Sequence, residues 1–271
     1  MYHLLLLEWK KQKDYVLFKI LLLAYIVLLP GALMIGKKIP GSTAEGMPFN
    51  PQTLFFNFPT VWSWLAYAGN WVVFFVLGFL GVLAITNEYT YRTLRQNIIT
   101  GLHRRAFYMS KLYFMVAISL VFTAYYALCA IIIGSFHADP FYIKTLFVNM
   151  GVVPRYFLMC IGYMSFGLLV GILVKRTGIA LFVYLTYAMF LEPVVRWSLH
   201  LRLFKHKSMH YYPLNAFEDL CPLPLSGQAE WFLKQNDFTM FLDATEATTA
   251  SAIYIALFLF IADKRLEKAD L

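Results

Sequence analysis

Between Trp62 and Ile85 the chain carries no charged residue, and the same holds from Leu112 to Gly134. Uncharged runs of that length leave few folds open. As a helix at about 1.5 Å per residue, Trp62 to Thr86 measures about 37 Å, enough to cross a hydrocarbon core of about 30 Å. A soluble core helix of that length would still need a polar face, yet only 14% of the chain is charged, against about 25% in ordinary soluble domains. In lipid every backbone N–H and C=O has to be satisfied within a helix or a closed barrel. The apolar runs are too long and too continuous for barrel strands, so the fold class expected is all-α: a polytopic helical membrane protein forming one transmembrane domain.

Six spans are expected, over residues 16–35, 62–86, 106–135, 156–174, 178–197 and 247–262. Residues 1–15 join Leu4 to Leu7 and Trp9 to Glu8, Lys10, Lys11, Lys13 and Asp14, too short and too charged to span but suited to a helix lying in the interface. They are not a signal peptide, because the basic residues follow the leucines and no small-x-small site closes the next apolar run. Pro30 and Gly31 are expected to bend the first span. Residues 36–60, rich in Gly, Pro and Asn, read as an irregular loop. The third span is longer than needed and so tilts or extends beyond the bilayer. Residues 137–154 read as a loop, and the few residues between spans four and five make those two antiparallel neighbours. The long extracytoplasmic segment 199–246, with Pro213, Pro222 and Pro224, has room for one or two short or re-entrant helices.

Six spans put both termini on one side. If that side is cytoplasmic, it collects Lys10, Lys11, Lys13, Lys19, Arg92, Arg95, Arg104, Arg105, Lys111, Lys175, Arg176, Lys264, Arg265 and Lys268, which is 14 of the 23 basic residues, leaving 9 outside. Lys and Arg collect on the cytoplasmic side of short loops. The expected localisation is therefore the cell membrane, inner or plasma, multi-pass, with N- and C-termini in the cytoplasm. The net charge of +8 is accounted for without a nucleic-acid partner. Cys129, Cys160 and Cys221 show no C-x-x-C spacing, so neither a zinc site nor a disulfide framework is indicated.

The connector 87–105 between spans two and three carries the functional signal. An amphipathic helix there would place Leu94 and Ile98 on one face and Arg92, Arg95 and Gln96 on another, with Gly101 suited to end it. A basic loop that merely follows the orientation rule explains the arginines but not the order Glu88, Thr93, Leu94. Glu88, Thr93, Leu94, Arg104 and Lys111, with Arg92, Arg95, Ile98 and Arg105 among them, resemble the second-to-third-span connector of type-2 ABC transporter permeases. The interfacial helix before span one, the six spans and the long outer segment before span six match the same family. Arg95 replaces the usual second leucine, and Gly101-Leu102-His103 stands where a Pro commonly precedes the Arg.

The resemblance implies the membrane-spanning subunit of an ATP-driven exporter, not an enzyme by itself. Its partners would be an ABC ATPase subunit, a second permease copy or a related permease, and membrane lipid. ATP and Mg would be held by the ATPase, with no cofactor on this chain. Coupling would run through the connector as a coupling helix and through Lys10 and Lys11 in the N-terminal elbow. The alternatives are a membrane scaffold that moves nothing, and an ATPase-coupled machine acting on the envelope. The substrate is not carried over.

Other stretches invite and fail a functional reading. Gly31 to Lys38 comes close to G-x-x-x-x-G-K-[ST], but Lys38 replaces the hydroxyl that would hold magnesium and no strand precedes it. Glu192, followed by Pro193 and four residues before Arg196, is the one acidic residue well inside a span. It reads as an intramembrane functional group or, more simply, as an i,i+4 ion pair at the outer boundary. Asp243 and Glu246, entering the last span, carry the same ambiguity. Gly167 and Gly171 permit close helix approach, expected within the subunit. Trp62, Trp64, Trp71 and Trp197 are expected in interfacial belts. His206 and His210 are four apart but lack a third ligand in register, which predicts a solvated loop.

Overall fold

Two helices that can touch backbone to backbone form the centre of the molecule. The computed structural model describes residues 2–36, 55–99, 101, 103–137, 143–203, 206–224 and 240–268. Among them there is no β-strand, and six helices are long and apolar enough to cross a membrane. We number α1 Tyr2–Lys13, α2 Val16–Gly36, α3 Thr60–Thr90, α4 Thr93–Ile99, α5 Arg104–His137, α6 Val152–Val174, α7 Thr177–Thr186, α8 Pro213–Glu218 and α9 Ala244–Glu267. Helix α7 continues through two wide π-helical stretches, Tyr187–Leu191 and Val195–His200, that flank Glu192–Val194.

The α3–α6 contact is made by glycines. A methyl group placed on Gly167 would stand 2.2 Å from the Gly78 carbonyl oxygen, and one on Gly81 would stand 2.3 Å from the Met164 carbonyl oxygen. Only glycine lets the two backbones come this close, which is how small residues drive helix packing in lipid. The Gly167/Gly171 pair therefore serves packing within the chain, as its spacing suggests. The surrounding helices then close on this pair: α2 packs on α3, α9 and α5 on α6, and α7 on both.

Buried hydroxyls tie the layers together, because a buried donor without a partner is costly. Tyr25 on α2 donates to the Phe122 carbonyl at 2.9 Å and its hydroxyl meets that of Tyr156 at 2.9 Å. Tyr126 donates to the Trp62 carbonyl at 2.7 Å, Tyr163 to the Asn70 side chain at 2.7 Å, and Tyr184 to the Phe74 carbonyl at 2.9 Å. The outer faces of α2 and α7 are exposed and apolar, with Ile20, Leu23, Val27, Phe182 and Phe190 among them.

Several expectations are corrected. Trp62 is wholly buried, and its indole N–H donates to the Leu146 carbonyl at 3.0 Å, so it belongs to the core and not to an interfacial belt. Trp71 and Trp197 are about half exposed. Residues 143–147 and 152–154 are helical where a loop was expected. His210 is 2% exposed within a short 3-10 helix, not solvated. Helix α2 runs through Pro30 to Gly36, so the first part of the phosphate-loop look-alike is helix; Lys37 and Lys38, like most of the expected loop 36–60 and residues 225–239 of the outer segment, lie outside the described residues. Every span extends beyond its apolar run. Helix α9 starts earlier because Asp243 and Glu246 form a capping box at its N-terminus, which assigns both acids a structural task.

Gly167→Ala is predicted to destabilise the folded protein by about 1–3 kcal/mol, the usual cost of overpacking a tight contact. Gly31→Ala, with nothing within 4 Å, should be neutral or slightly stabilising. Denaturant unfolding in detergent distinguishes the two.

Candidate functional site

Among the described residues, the fullest polar construction lies where α1, α3, α4 and α5 meet. Helix α3 runs on past its apolar stretch to Thr90, where the Tyr91 N–H closes on the Asn87 carbonyl and Arg92 takes the left-handed conformation at φ 54°. That corner turns the chain into the seven-residue helix α4. Gly101, at φ 96°, turns it again toward α5; a positive φ there is what glycine tolerates without a Cβ clash. The end of α3 is thereby set beside both α4 and α5, with α1 laid against α5.

Lys111, 1% exposed, reaches from α5 between two carboxylates and contacts Glu8 on α1 at 2.6 Å and Glu88 on α3 at 2.6 Å. Glu8 also accepts at 3.0 Å from Ser110, whose one proton it shares with the Phe107 carbonyl at 2.7 Å. Glu88 accepts from Lys11 at 2.9 Å and from the Thr93 hydroxyl at the start of α4. Lys11 lies 3.5 Å from Glu8 as well. Two carboxylates and two ammonium groups thus cancel in charge. The Lys111 ammonium stands 5.0 Å from the centre of the Phe107 ring, within cation–π range. Partial burial would lower the Lys11 ammonium's pKa, but Glu8 and Glu88 outweigh it and hold it above the ordinary lysine value.

Buried charges are tolerated only when paired and when their remaining lone pairs are hydrogen-bonded. Here Ser110 and Thr93 supply those extra bonds. The consequence is mechanical: four helical segments share one knot, and none can shift without stretching it. Leu94, 2% exposed, fixes the apolar side of α4 under the same corner.

The connector residues expected to act together divide into two groups. Glu88, Thr93, Lys111 and Lys11 join the knot, whereas Arg92, Arg95, Arg105 and Lys10 stay exposed. Arg104 donates to the Glu267 carbonyl at 2.6 Å, tying α5 to the end of α9. Ile98 belongs to α4, but its side chain lies outside the described residues. Helix α4 begins at Thr93, so Arg92 is a corner and not part of the amphipathic helix expected to include it.

Glu8 is the functional candidate that sequence reasoning missed. Its signal is the i,i+4 pair Glu8 and Gln12, both buried on α1 at 1% and 6% exposure. A helix lying freely in the interface would expose them.

At the opposite end, Glu192 does not close the expected i,i+4 pair with Arg196. Its two oxygens accept the N–H groups of Asn215 at 2.8 Å and Leu214 at 3.2 Å. Pro213 opens α8 without an N–H, so these are its first unsatisfied donors. Arg196 Nε donates to the Met209 carbonyl at 3.1 Å. Pro193 lies between the π-helical stretches, whose wider turns let the Glu192 N–H reach the Tyr187 carbonyl. Asp219 accepts from Leu242 N–H at 3.0 Å and Asn215 Nδ2 at 2.9 Å. Burial pushes its carboxyl up to about 7, with neighbouring Glu218 acting in the same direction against the Leu242 N–H. Asn70, Trp71, Tyr163, Glu192 and Arg196 line a cavity of about 190 Å³ beside this cap.

No protein-family model matches this sequence, and no curated protein is similar to it at a significant level.

Lys111→Met would leave Glu8 and Glu88 buried without their shared cation, and the expected destabilisation is about 3–5 kcal/mol. Lys11→Ala, at a side chain 33% exposed, should cost about 1 kcal/mol or less. Comparative unfolding in one detergent reads the difference; equal losses would contradict the geometry. The folded Asp219 keeps a proton that the unfolded chain releases near its ordinary pKa of 3.8. Its contribution is therefore fully present in acid, declines as pH rises from about 4 to about 7, and then levels off. Asp219→Asn should remove that decline, measured as Tm against pH for both proteins.

Proposed function

We propose that the chain is the membrane-spanning permease subunit of an ATP-driven exporter of the type-2 ABC class, multi-pass in the cell membrane with both termini in the cytoplasm. The observation that carries this reading is the Glu8–Lys111–Glu88–Lys11 knot beneath an exposed cationic corner. A device that receives mechanical work needs an outer surface for a partner and a stiff link from it to the spans. Arg92 and Arg95 offer the surface. The buried charges bind α4 to α1, α3 and α5, so a push on α4 is delivered to two long spans and the N-terminal helix at once.

The charge distribution supports the same orientation. The Arg104 and Lys175 contacts to Glu267 and to the Tyr89 ring gather the α3–α5 connector, the α6–α7 turn and the α9 end at one face of the bundle. Fourteen of the 23 basic residues belong to these segments and the N-terminal region, as expected of a cytoplasmic face. In this reading α1 is the interfacial elbow and α4 the coupling helix. ATP and Mg belong to a separate ATPase subunit, a second permease copy or a related permease completes the path, and this chain hydrolyses nothing.

Purification of the native complex tests the proposal. An ATP-hydrolysing subunit should co-purify, and Arg92→Glu/Arg95→Glu should reduce its recovery at least tenfold while leaving the permease folded. A complex without an ATPase, or undiminished recovery with the reversed charges, would contradict it.

A further inference from the structure

At the same basic face, away from the knot, the ends of α3, α6 and α9 line an open cavity of about 670 Å³. Lys175, Lys264, Arg265 and Lys268 line it together with Tyr89. Lys264 contacts Glu267 at 2.8 Å, while Lys175, Arg265 and Lys268 have no carboxylate partner among the described residues. Lys175 is held in the left-handed conformation at φ 62°, at the C-terminal end of α6, with its ammonium 5.6 Å from the Tyr89 ring. The Tyr89 hydroxyl is buried and lacks a hydrogen-bond partner. Lys175, Arg265 and Lys268 are exposed; three such cations without carboxylate partners, beside a buried donor that lacks an acceptor, favour an anion.

The rest of the wall specifies which kind. Leu173 and Phe260 line the same cavity and are 50% and 61% exposed. Phe260 lies one helical turn before Lys264, and Leu257 and Ile253, also exposed, continue that stripe along α9. The cationic end thus opens into an apolar track running along the spans. A small inorganic anion has no use for that track, and a soluble acidic peptide would have to compete for it with the lipid that a membrane would place against these side chains. A molecule with an anionic head and acyl chains fits both halves.

We infer that this cavity binds the phosphate-bearing headgroup of an anionic phospholipid, with Lys175, Arg265 and Lys268 holding the phosphate and Leu173 and Phe260 contacting the first part of an acyl chain. Basic pockets between spans take anionic headgroups in this way. The site is independent of any ATPase.

Native mass spectrometry of the full chain in detergent, titrated separately with phosphatidylglycerol and phosphatidylcholine, tests the inference. One phosphatidylglycerol per chain is expected to survive collisional activation, at least tenfold more abundant than the phosphatidylcholine adduct. Lys175→Gln/Arg265→Gln/Lys268→Gln should reduce it at least tenfold, whereas Lys13→Gln/Lys19→Gln, which removes two cations near the start of α2, should not. Tyr89→Phe, which alters no charge, should weaken the adduct several-fold and serves if the triple variant fails to fold. Equal retention of the two lipids, or an unchanged adduct in the triple and Tyr89→Phe variants, would overturn the assignment. Loss of the adduct to millimolar inorganic phosphate would show a free-anion site instead of a lipid site. Loss of a co-purifying protein with the lipid adduct intact would show a protein-docking surface instead.

Discussion

The ammonium group of Lys111 is shared by two buried carboxylates, Glu8 and Glu88, that come from opposite ends of the first hundred residues. Everything at that end of the bundle depends on this sharing. Without it, the two buried carboxylates Glu8 and Glu88 would have only the partly exposed Lys11 between them. A buried ion pair is weak evidence of net stability, since a well-packed apolar core can serve as well. Its value here is specificity: charges of opposite sign, with hydroxyls from Ser110 and Thr93 filling the remaining valences, accept one arrangement of four helical segments and penalise others.

The glycine contact of α3 with α6 does complementary work. It lets the central pair approach until carbonyl oxygens meet the positions of missing methyl groups, which makes the middle of the bundle rigid. The buried tyrosines then peg the neighbouring helices to carbonyls of that pair or of α5. A rigid centre and a charge-locked end give the molecule a lever with a fulcrum, and in the proposed reading the exposed Arg92 and Arg95 corner is where the force enters. The peripheral placement of α2 and α7, with apolar outer faces, leaves those surfaces, in the same proposed reading, to lipid or to another permease.

Much of this was legible in the sequence where a single local property decided the outcome. The absence of charge from Trp62 to Ile85 was enough to call for a spanning helix, and Gly167 with Gly171 was enough to call for close packing. Helix ends were less legible, because Glu88, just past the apolar run, is buried against Lys11 and Lys111 from α1 and α5. Glu8 was hidden for the same reason: its partner Lys111 is 103 residues away, and the flanking leucines suggested an interfacial helix. Trp62 looked like a belt residue because its position near a span end says nothing of the Leu146 carbonyl that receives its N–H. Glu192 was read against Arg196, its neighbour on the helix, while its real partners are backbone N–H groups 22 and 23 residues on. In each case the deciding interaction is non-local, and local spacing does not encode it.

The central claim is that α1, α3, α4 and α5 move as one body under load from a nucleotide-hydrolysing partner. Cryo-electron microscopy of the complex from native membranes, with and without a non-hydrolysable ATP analogue, tests it most directly. The account predicts density for an ATPase against the Arg92–Arg95 corner, and displacement of α4 between the two states with the Lys111 contacts to Glu8 and Glu88 intact. A partner-free corner in both states, or α4 shifting while α1 and α5 stay behind, would contradict it.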